Sequence, residues 1–169
     1  MSKFAVVTGA NRGIGATTSA ALIKDGWTVA LLGRDITSLE ATAKDLGSTA
    51  TPISCDVSDP QSVAKAFQEV KSKFGRLDLL FNNAGIASPG SLLEEITPED
   101  WQRVININIG GVFYCTQQAF AIMKDQNPQG GRIINNGSIS AQVPRPNSAP
   151  YTASKHAVTG LTRSTSLDG

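Results

Sequence analysis

"TGANRGIG", Thr8 to Gly15, joins the short β-branched run "FAVVT" at 4 to 8 to the start of a helical pattern, and three glycines stand at the junction. At the end of a buried strand, Gly9, Gly13 and Gly15 serve to form a tight turn, to admit a pyrophosphate to the backbone, and to bring helix and strand close together. The generic dinucleotide pattern is G-x-G-x-x-G, whereas this loop reads G-x-x-x-G-x-G, so the match is loose. Taken alone, the loop leaves an ordinary connection between strand and helix as the lesser alternative.

Working outward, four more runs of strand character follow: "TVALL" at 28 to 32, "ATPIS" at 50 to 54, "LDLLF" at 77 to 81 and "RIINN" at 132 to 136. Helical patterns separate them, which predicts an α/β fold with a doubly wound parallel sheet between two helical layers. Right-handed crossovers give the strand order 3-2-1-4-5 and put the third strand at an edge, where Pro52 forfeits no ladder hydrogen bond. Between strands three and four, Val63, Ala66, Phe67, Val70 and Phe74 fall on one helical face. Ser58 is the expected cap of that helix and Gly75 its stop. A second helical region is expected from Thr97, with Pro98 in its first turn and Asp100 three residues past the cap, to about Met123.

The chain has 169 residues, 40% hydrophobic and 17% charged, enough for one domain spanning 1–169. A formal net charge of +1, spread along the chain, gives no footprint for nucleic acid or an anionic membrane. Cys55 and Cys115 lack metal-ligand or CxxC spacing and read as free thiols, and no metal site is expected. "MSKFAVVTGA" enters a strand at once, without a leader pattern, and no apolar run approaches membrane length. A cytoplasmic protein is the expectation.

The choice of dinucleotide turns on the end of the second strand, where an acidic residue about 20 positions past the glycines holds the adenosine ribose. The strand ends instead in Gly33 and Arg34. A guanidinium there suits a ribose 2′-phosphate, and Arg12 in the glycine loop can approach the same group. The alternative is that both arginines are solvated and Asp35 takes the ribose, although Asp35 reads more simply as a helix cap.

"YTASK", Tyr151 to Lys155, places a phenol and an ammonium one helical turn apart on one face. Using tyrosine as acid or base near neutrality means lowering its pKa of ~10 by about three units, or ~4 kcal/mol. An ammonium ~4 Å away at an effective dielectric of ~20 supplies about that much. Ser138 follows the fifth strand, at the carboxyl edge where such sheets bind ligands. Singly, each of these residues reads as ordinary: the pair as chance spacing, the serine as a turn cap.

In combination they resemble the short-chain dehydrogenase/reductase family. The resemblance rests on "TGANRGIG", "CDV" at 55 to 57, "NNAG" at 82 to 85, "VININIGGVF" at 104 to 113, Ser138 and "YTASK", in the family's order along essentially the whole chain. It implies a Rossmann fold. It implies a cofactor site formed by Gly9, Asn11, Arg12, Gly13, Ile14, Gly15, Arg34, Asp56, Val57, Asn83, Ala84, Gly85, Tyr151 and Lys155, with Asp56 on the adenine and Asn82 to Gly85 stabilising the sheet beside the cofactor. It further implies a catalytic tetrad of Asn108, Ser138, Tyr151 and Lys155. Asn108, chosen over Asn106 by the alignment of Gly111, would hold a water beside Lys155. Ser138 would bind the substrate oxygen, Tyr151 transfer its proton, and Lys155 tune Tyr151 and hold the nicotinamide ribose. The implied activity interconverts a small-molecule carbonyl compound and an alcohol with NADP(H), NAD being less favoured, in a homodimer or homotetramer paired through the helices of Tyr114 and Tyr151.

Two departures stand out. "NNGS" before the catalytic serine places Gly137 where the local backbone is loosened. Family members also continue into two further strands, whereas this chain stops at Gly169, so it is expected to be part of a longer polypeptide or else a truncation. Competing readings are a dinucleotide-binding or dimerising module without activity, and a nucleotide-using transferase. The first leaves four intact catalytic side chains without a purpose, and the second leaves the Tyr151 and Lys155 pair idle.

Overall fold

The computed structural model describes residues 2–88 and 90–169. Five parallel strands form one sheet in the order β3-β2-β1-β4-β5: β1 is Lys3–Thr8, β2 Trp27–Gly33, β3 Ala50–Ser54, β4 Leu79–Asn82 and β5 Arg132–Asn135. The order is the one expected from right-handed crossovers, and Pro52 lies on the edge strand β3. The fourth strand begins later than expected. Leu77 instead exchanges two hydrogen bonds with the buried side chain of Gln126, its amide donating to Oε1 at 2.8 Å and its carbonyl accepting from Nε2 at 3.0 Å.

The central runs are apolar at successive positions because both faces of the sheet are covered. On one face Val6, Ala30, Leu32 and Ile53 pack with Val63, Phe67 and Val70 of α3 (Pro60–Phe74) and with Cys115 and Ala119 of α5 (Gly111–Asp125). On the other, Ala5, Val7, Val29 and Leu31 meet Leu39 and Ala43 of α2 (Ile36–Leu46), with Leu22 and Ile23 of α1 (Gly13–Lys24) packed alongside. Alternate side chains of each strand thus serve alternate layers. Both cysteines are buried free thiols, and burial, with the negative charge of Asp56 nearby, pushes the Cys55 pKa up to about 12.

The helix ends follow their local chemistry. Asp35 caps α2 by accepting from the Ser38 amide at 3.2 Å, and Gly75 ends α3 in the left-handed region at φ 72°. Thr97 caps α4 (Pro98–Ile105), as its spacing to Pro98 and Asp100 predicts. The cap of α3 is Asp59 rather than Ser58: Asp59 directly precedes Pro60 and accepts from the Gln61 amide at 2.9 Å, while Ser58 turns back to Asp56. The region expected to be a single helix from Thr97 is broken by a π turn, Asn106–Gly110, between α4 and α5. Such turns are rare and often mark functional positions. A last helix, α6 (Ala149–Asp168), follows the 3-10 turn Ile139–Ala141. Among the described residues, no helix is long and apolar enough to cross a membrane.

Candidate active site

The glycine loop is shaped by what it omits. A Cβ on Gly15 would stand 2.2 Å from the Gly9 carbonyl oxygen and 2.8 Å from Asn83 Nδ2, so hydrogen alone fits there. At Gly13, by contrast, φ is +54° and a Cβ would meet nothing within 4 Å, which leaves the approach to the first amides of α1 open. That first turn carries no acidic residue, and Arg12, at the cap position, makes no side-chain cap bond. Free amides, a favourable dipole and open space suit a pyrophosphate, so the loop fits the group that sequence reading put there.

Asn83 ties this loop to the next strand end. Its Nδ2 donates to the carbonyls of Thr8 at 3.0 Å and Gly9 at 3.3 Å, and Thr8 Oγ1 accepts from the amides of Asn83 and Ala84, both at 2.9 Å. Asn11 and Ile14 lie on the loop itself. Ile14 is exposed, while Asn11 donates to Ser38 Oγ at 3.2 Å, joining the loop to α2.

Arg34 is exposed at the end of β2, and its guanidinium acts on Asp56 across the β2–β3 edge. Burial works against a charge on Asp56, but the hydroxyl and amide hydrogen bonds from Ser58, at 2.7 and 2.9 Å, and the Arg34 charge outweigh it. The carboxyl is therefore held below its ordinary value. Oδ1 takes both Ser58 bonds. Asp35 is engaged as the α2 cap. Val57 is buried and packs on Gly111, where a Cβ would come within 2.8 Å of it.

Tyr151 and Lys155 share one face of α6, with the ammonium 5.6 Å from the centre of the phenol ring. Lys155 is 9% exposed, and burial pushes its pKa down. Its Nζ donates to the Asn136 carbonyl at 2.8 Å, which pins the ammonium to the carboxyl end of β5 two residues before Ser138. Ser138 Oγ accepts from the Ser140 amide at 3.1 Å and so caps the 3-10 turn. That bond uses a lone pair and leaves the hydroxyl proton to donate.

Asn108 sits in the π turn, buried, with its side chain fully engaged. Oδ1 accepts from the Ile86 amide at 2.9 Å, and Nδ2 donates to the Ile86 carbonyl at 2.9 Å and to Ser154 Oγ at 3.1 Å. A Cβ on Gly85 would lie 3.3 Å from that Oδ1. Asn108 thus joins the segment after "NNAG" to α6, beside Lys155.

Two residues essential to this geometry escaped sequence reading. Asn136 holds Lys155 by its carbonyl and donates through Nδ2 to Asn83 Oδ1 at 3.0 Å, completing a hydrogen-bonded path from Gly9 to Lys155. Ser154 receives Asn108 and donates to the Tyr151 carbonyl at 2.7 Å. The traces in the sequence are slight: a second polar residue at the end of the run "RIINN", and a serine one turn after Tyr151.

The sequence profile of the short chain dehydrogenase family matches residues 3–169. A 3beta-hydroxysteroid dehydrogenase of Mediterraneibacter gnavus is 36% identical over 169 residues, covering 98% of this chain and 60% of that protein. Dehydrogenase/reductase SDR family member 11 of Homo sapiens is 35% identical over 167 residues, covering 95% of this chain and 64% of its own length. Among solved structures, a 3-ketoacyl-(acyl-carrier-protein) reductase from Brucella melitensis complexed with NADH superposes with a TM-score of 0.94 at 33% identity, covering 98% of this chain and 69% of that one. A metagenomic short-chain oxidoreductase in complex with NADP gives 0.92 at 33% identity, covering 98% and 76%. The chain spans 60% and 64% of the length of those two curated relatives.

Proposed function

Because the chain belongs to the short-chain dehydrogenase family, matched from residue 3 to residue 169, we propose that it interconverts a carbonyl compound and an alcohol, with Tyr151 as the general acid and base. The observation that carries this reading is the ammonium of Lys155 set 5.6 Å from the centre of the Tyr151 ring and anchored to the end of β5. A nicotinamide dinucleotide supplies the hydride when bound.

In the direction of reduction, Ser138 donates its free hydroxyl proton as a hydrogen bond to the substrate oxygen and orients the carbonyl. Tyr151 gives its phenolic proton to that oxygen as negative charge develops there. The ammonium of Lys155 stabilises the phenolate left behind. In oxidation the same phenolate removes the proton from the alcohol. Asn108 keeps the Ile86 segment and α6 in register, so a water beside Lys155 would rest on backbone rather than on the side-chain amide. Gly9, Gly13 and Gly15 with the α1 amides would hold the pyrophosphate, and Asp56, with Val57 beside it, the adenine end.

NADP(H) is the preferred dinucleotide in this reading. Arg34 and Arg12 supply cationic partners for a 2′-phosphate, and Asp35 is already committed to its cap. Asn83, Ala84 and Gly85 line the cofactor side of the sheet, and the 1–169 unit combines dinucleotide and catalytic sites in one domain. The working form is a cytoplasmic homodimer or homotetramer.

The test is a panel of ketones and aldehydes assayed for oxidation of NADPH and NADH. Turnover of at least one compound, faster with NADPH, is expected. Binding of either dinucleotide without turnover across the panel would leave a binding module and overturn the enzymatic reading.

A further inference from the structure

Two adjoining cavities, of about 430 and 360 Å³, open beside the catalytic helix, and the smaller one is lined by Tyr151 itself. Both are walled by the loop between β5 and α6, and both are lined by Arg145, Asn147 and Ser148. Arg145 is the one formally charged side chain among the described residues lining either cavity. No acidic side chain forms an ion pair with it among those residues.

The backbone of the loop carrying it is restricted. Arg145 stands between Pro144 and Pro146, and a following proline confines a residue to extended backbone. Ser148 Oγ donates to the Arg145 carbonyl at 2.7 Å. Asn147 holds a left-handed conformation at φ 56°, the one non-glycine residue with positive φ among the described residues, and such backbone persists where the surroundings enforce it. An arginine on so constrained a backbone has less ordering left to lose on binding than one on a free loop.

Arg145 is exposed, and an arginine without an ion-pair partner lining otherwise uncharged cavities favours an anion, which its guanidinium can hold through two parallel hydrogen bonds. We propose that Arg145 is a specificity-determining residue and that the carbonyl substrate carries an anionic group, a carboxylate or a phosphate-like group. This rests on the oxidoreductase reading for the identity of the reacting carbonyl, but the anion site itself can be tested without turnover.

Three probes separate the cases: acetoacetate, its neutral methyl ester, and 2-oxopropylphosphonate, each titrated into the protein with and without NADP+ and followed by protein NMR shifts. A charge-assisted pair predicts that one anion binds roughly tenfold more tightly than the ester. Arg145→Gln should bring that preference to within about twofold, and Arg145→Lys should fall between, keeping charge without the fork. Which anion binds better identifies the group. Equal binding of ester and anions, survival of the preference in Arg145→Gln, or no binding of any probe overturns the assignment. Anion-selective binding, together with no turnover of any compound in the ketone and aldehyde panel, counts against the oxidoreductase reading alone and leaves the anion site standing.

Discussion

Beyond the carboxyl end of the central strand β1, a single methyl group on Gly15 would stand 2.2 Å from the Gly9 carbonyl, whereas beside the edge strand β5 Lys155 and Asn108 are held in place by polar groups from distant segments. The proposed dinucleotide end presents backbone and the absence of side chains at its glycines, with Thr8 and Asn83 bracing the loop from behind. The proposed catalytic end is built from side-chain amides, hydroxyls and one buried ammonium. The first is therefore intolerant of added atoms and the second of removed ones, so the two should fail differently when altered. Asn83 and Asn136 join them through a 3.0 Å hydrogen bond, and a change at that bond belongs to both ends.

The largest effect is expected from Tyr151→Phe, which deletes one oxygen at the catalytic end. Loss of general acid and base catalysis predicts a fall in turnover of about 10²–10⁴-fold. NADPH affinity, followed by fluorescence titration, should stay within about twofold because the glycine loop is untouched. Gly15→Ala is the reciprocal change. The new methyl forces the Gly9 carbonyl and Asn83 to move, for a loss of about 1–3 kcal/mol in stability by denaturant unfolding, together with loss of dinucleotide binding. If Tyr151→Phe loses NADPH binding, or Gly15→Ala keeps it, the division between the two ends is wrong.

Much of the dinucleotide end was legible in the sequence because its determinants are local. The strand-turn-helix at Thr8 to Gly15, the cap at Asp35 and the edge position of Pro52 each follow from a few neighbouring residues or from crossover handedness. Even here neighbours competed: Asp59, next to Pro60, took the cap expected of Ser58, and Ser58 served Asp56 instead. The catalytic end was legible only as a set of residue types. The bonds that position it join Asn108 to Ser154 across 46 residues, Asn136 to Asn83 across 53, and Lys155 to Asn136 across 19. No periodicity encodes such pairings. The π turn that sets Asn108 inward interrupts what reads as one continuous helical pattern.

A smaller change sharpens the comparison within the dinucleotide end, at one of the few places where that end relies on a side chain. Arg34 is exposed and is proposed to recognise the 2′-phosphate by charge, so Arg34→Asp should leave the fold intact while inverting the charge offered to the ribose. The ratio of NADPH to NADH affinity is expected to fall roughly tenfold or more, as a charge-assisted contact is replaced by repulsion. An unchanged ratio would remove Arg34 from the 2′-phosphate site and return the ribose to other residues.

The smallest expected effect is also the one that tests whether the catalytic end is strained by its own chemistry. Lys155 is buried with its ammonium on a single carbonyl, and burial lowers its pKa below that of a free lysine, ~10.4. At pH values below the folded pKa the group is charged in both states, and the folded protein bears the full penalty of holding that charge away from water. Between the folded and unfolded pKa values the unfolded chain binds the extra proton, so stability rises with pH, by at most about 1.4 kcal/mol per pH unit. Lys155→Met removes this titration. Denaturant unfolding of both proteins at neutral pH and again near pH ~10 should therefore show the wild-type chain gaining stability relative to the variant as pH rises. A difference that stays constant, or that moves the other way, would mean that the carbonyl of Asn136 compensates the buried charge in full and that the catalytic lysine rests in its site without strain.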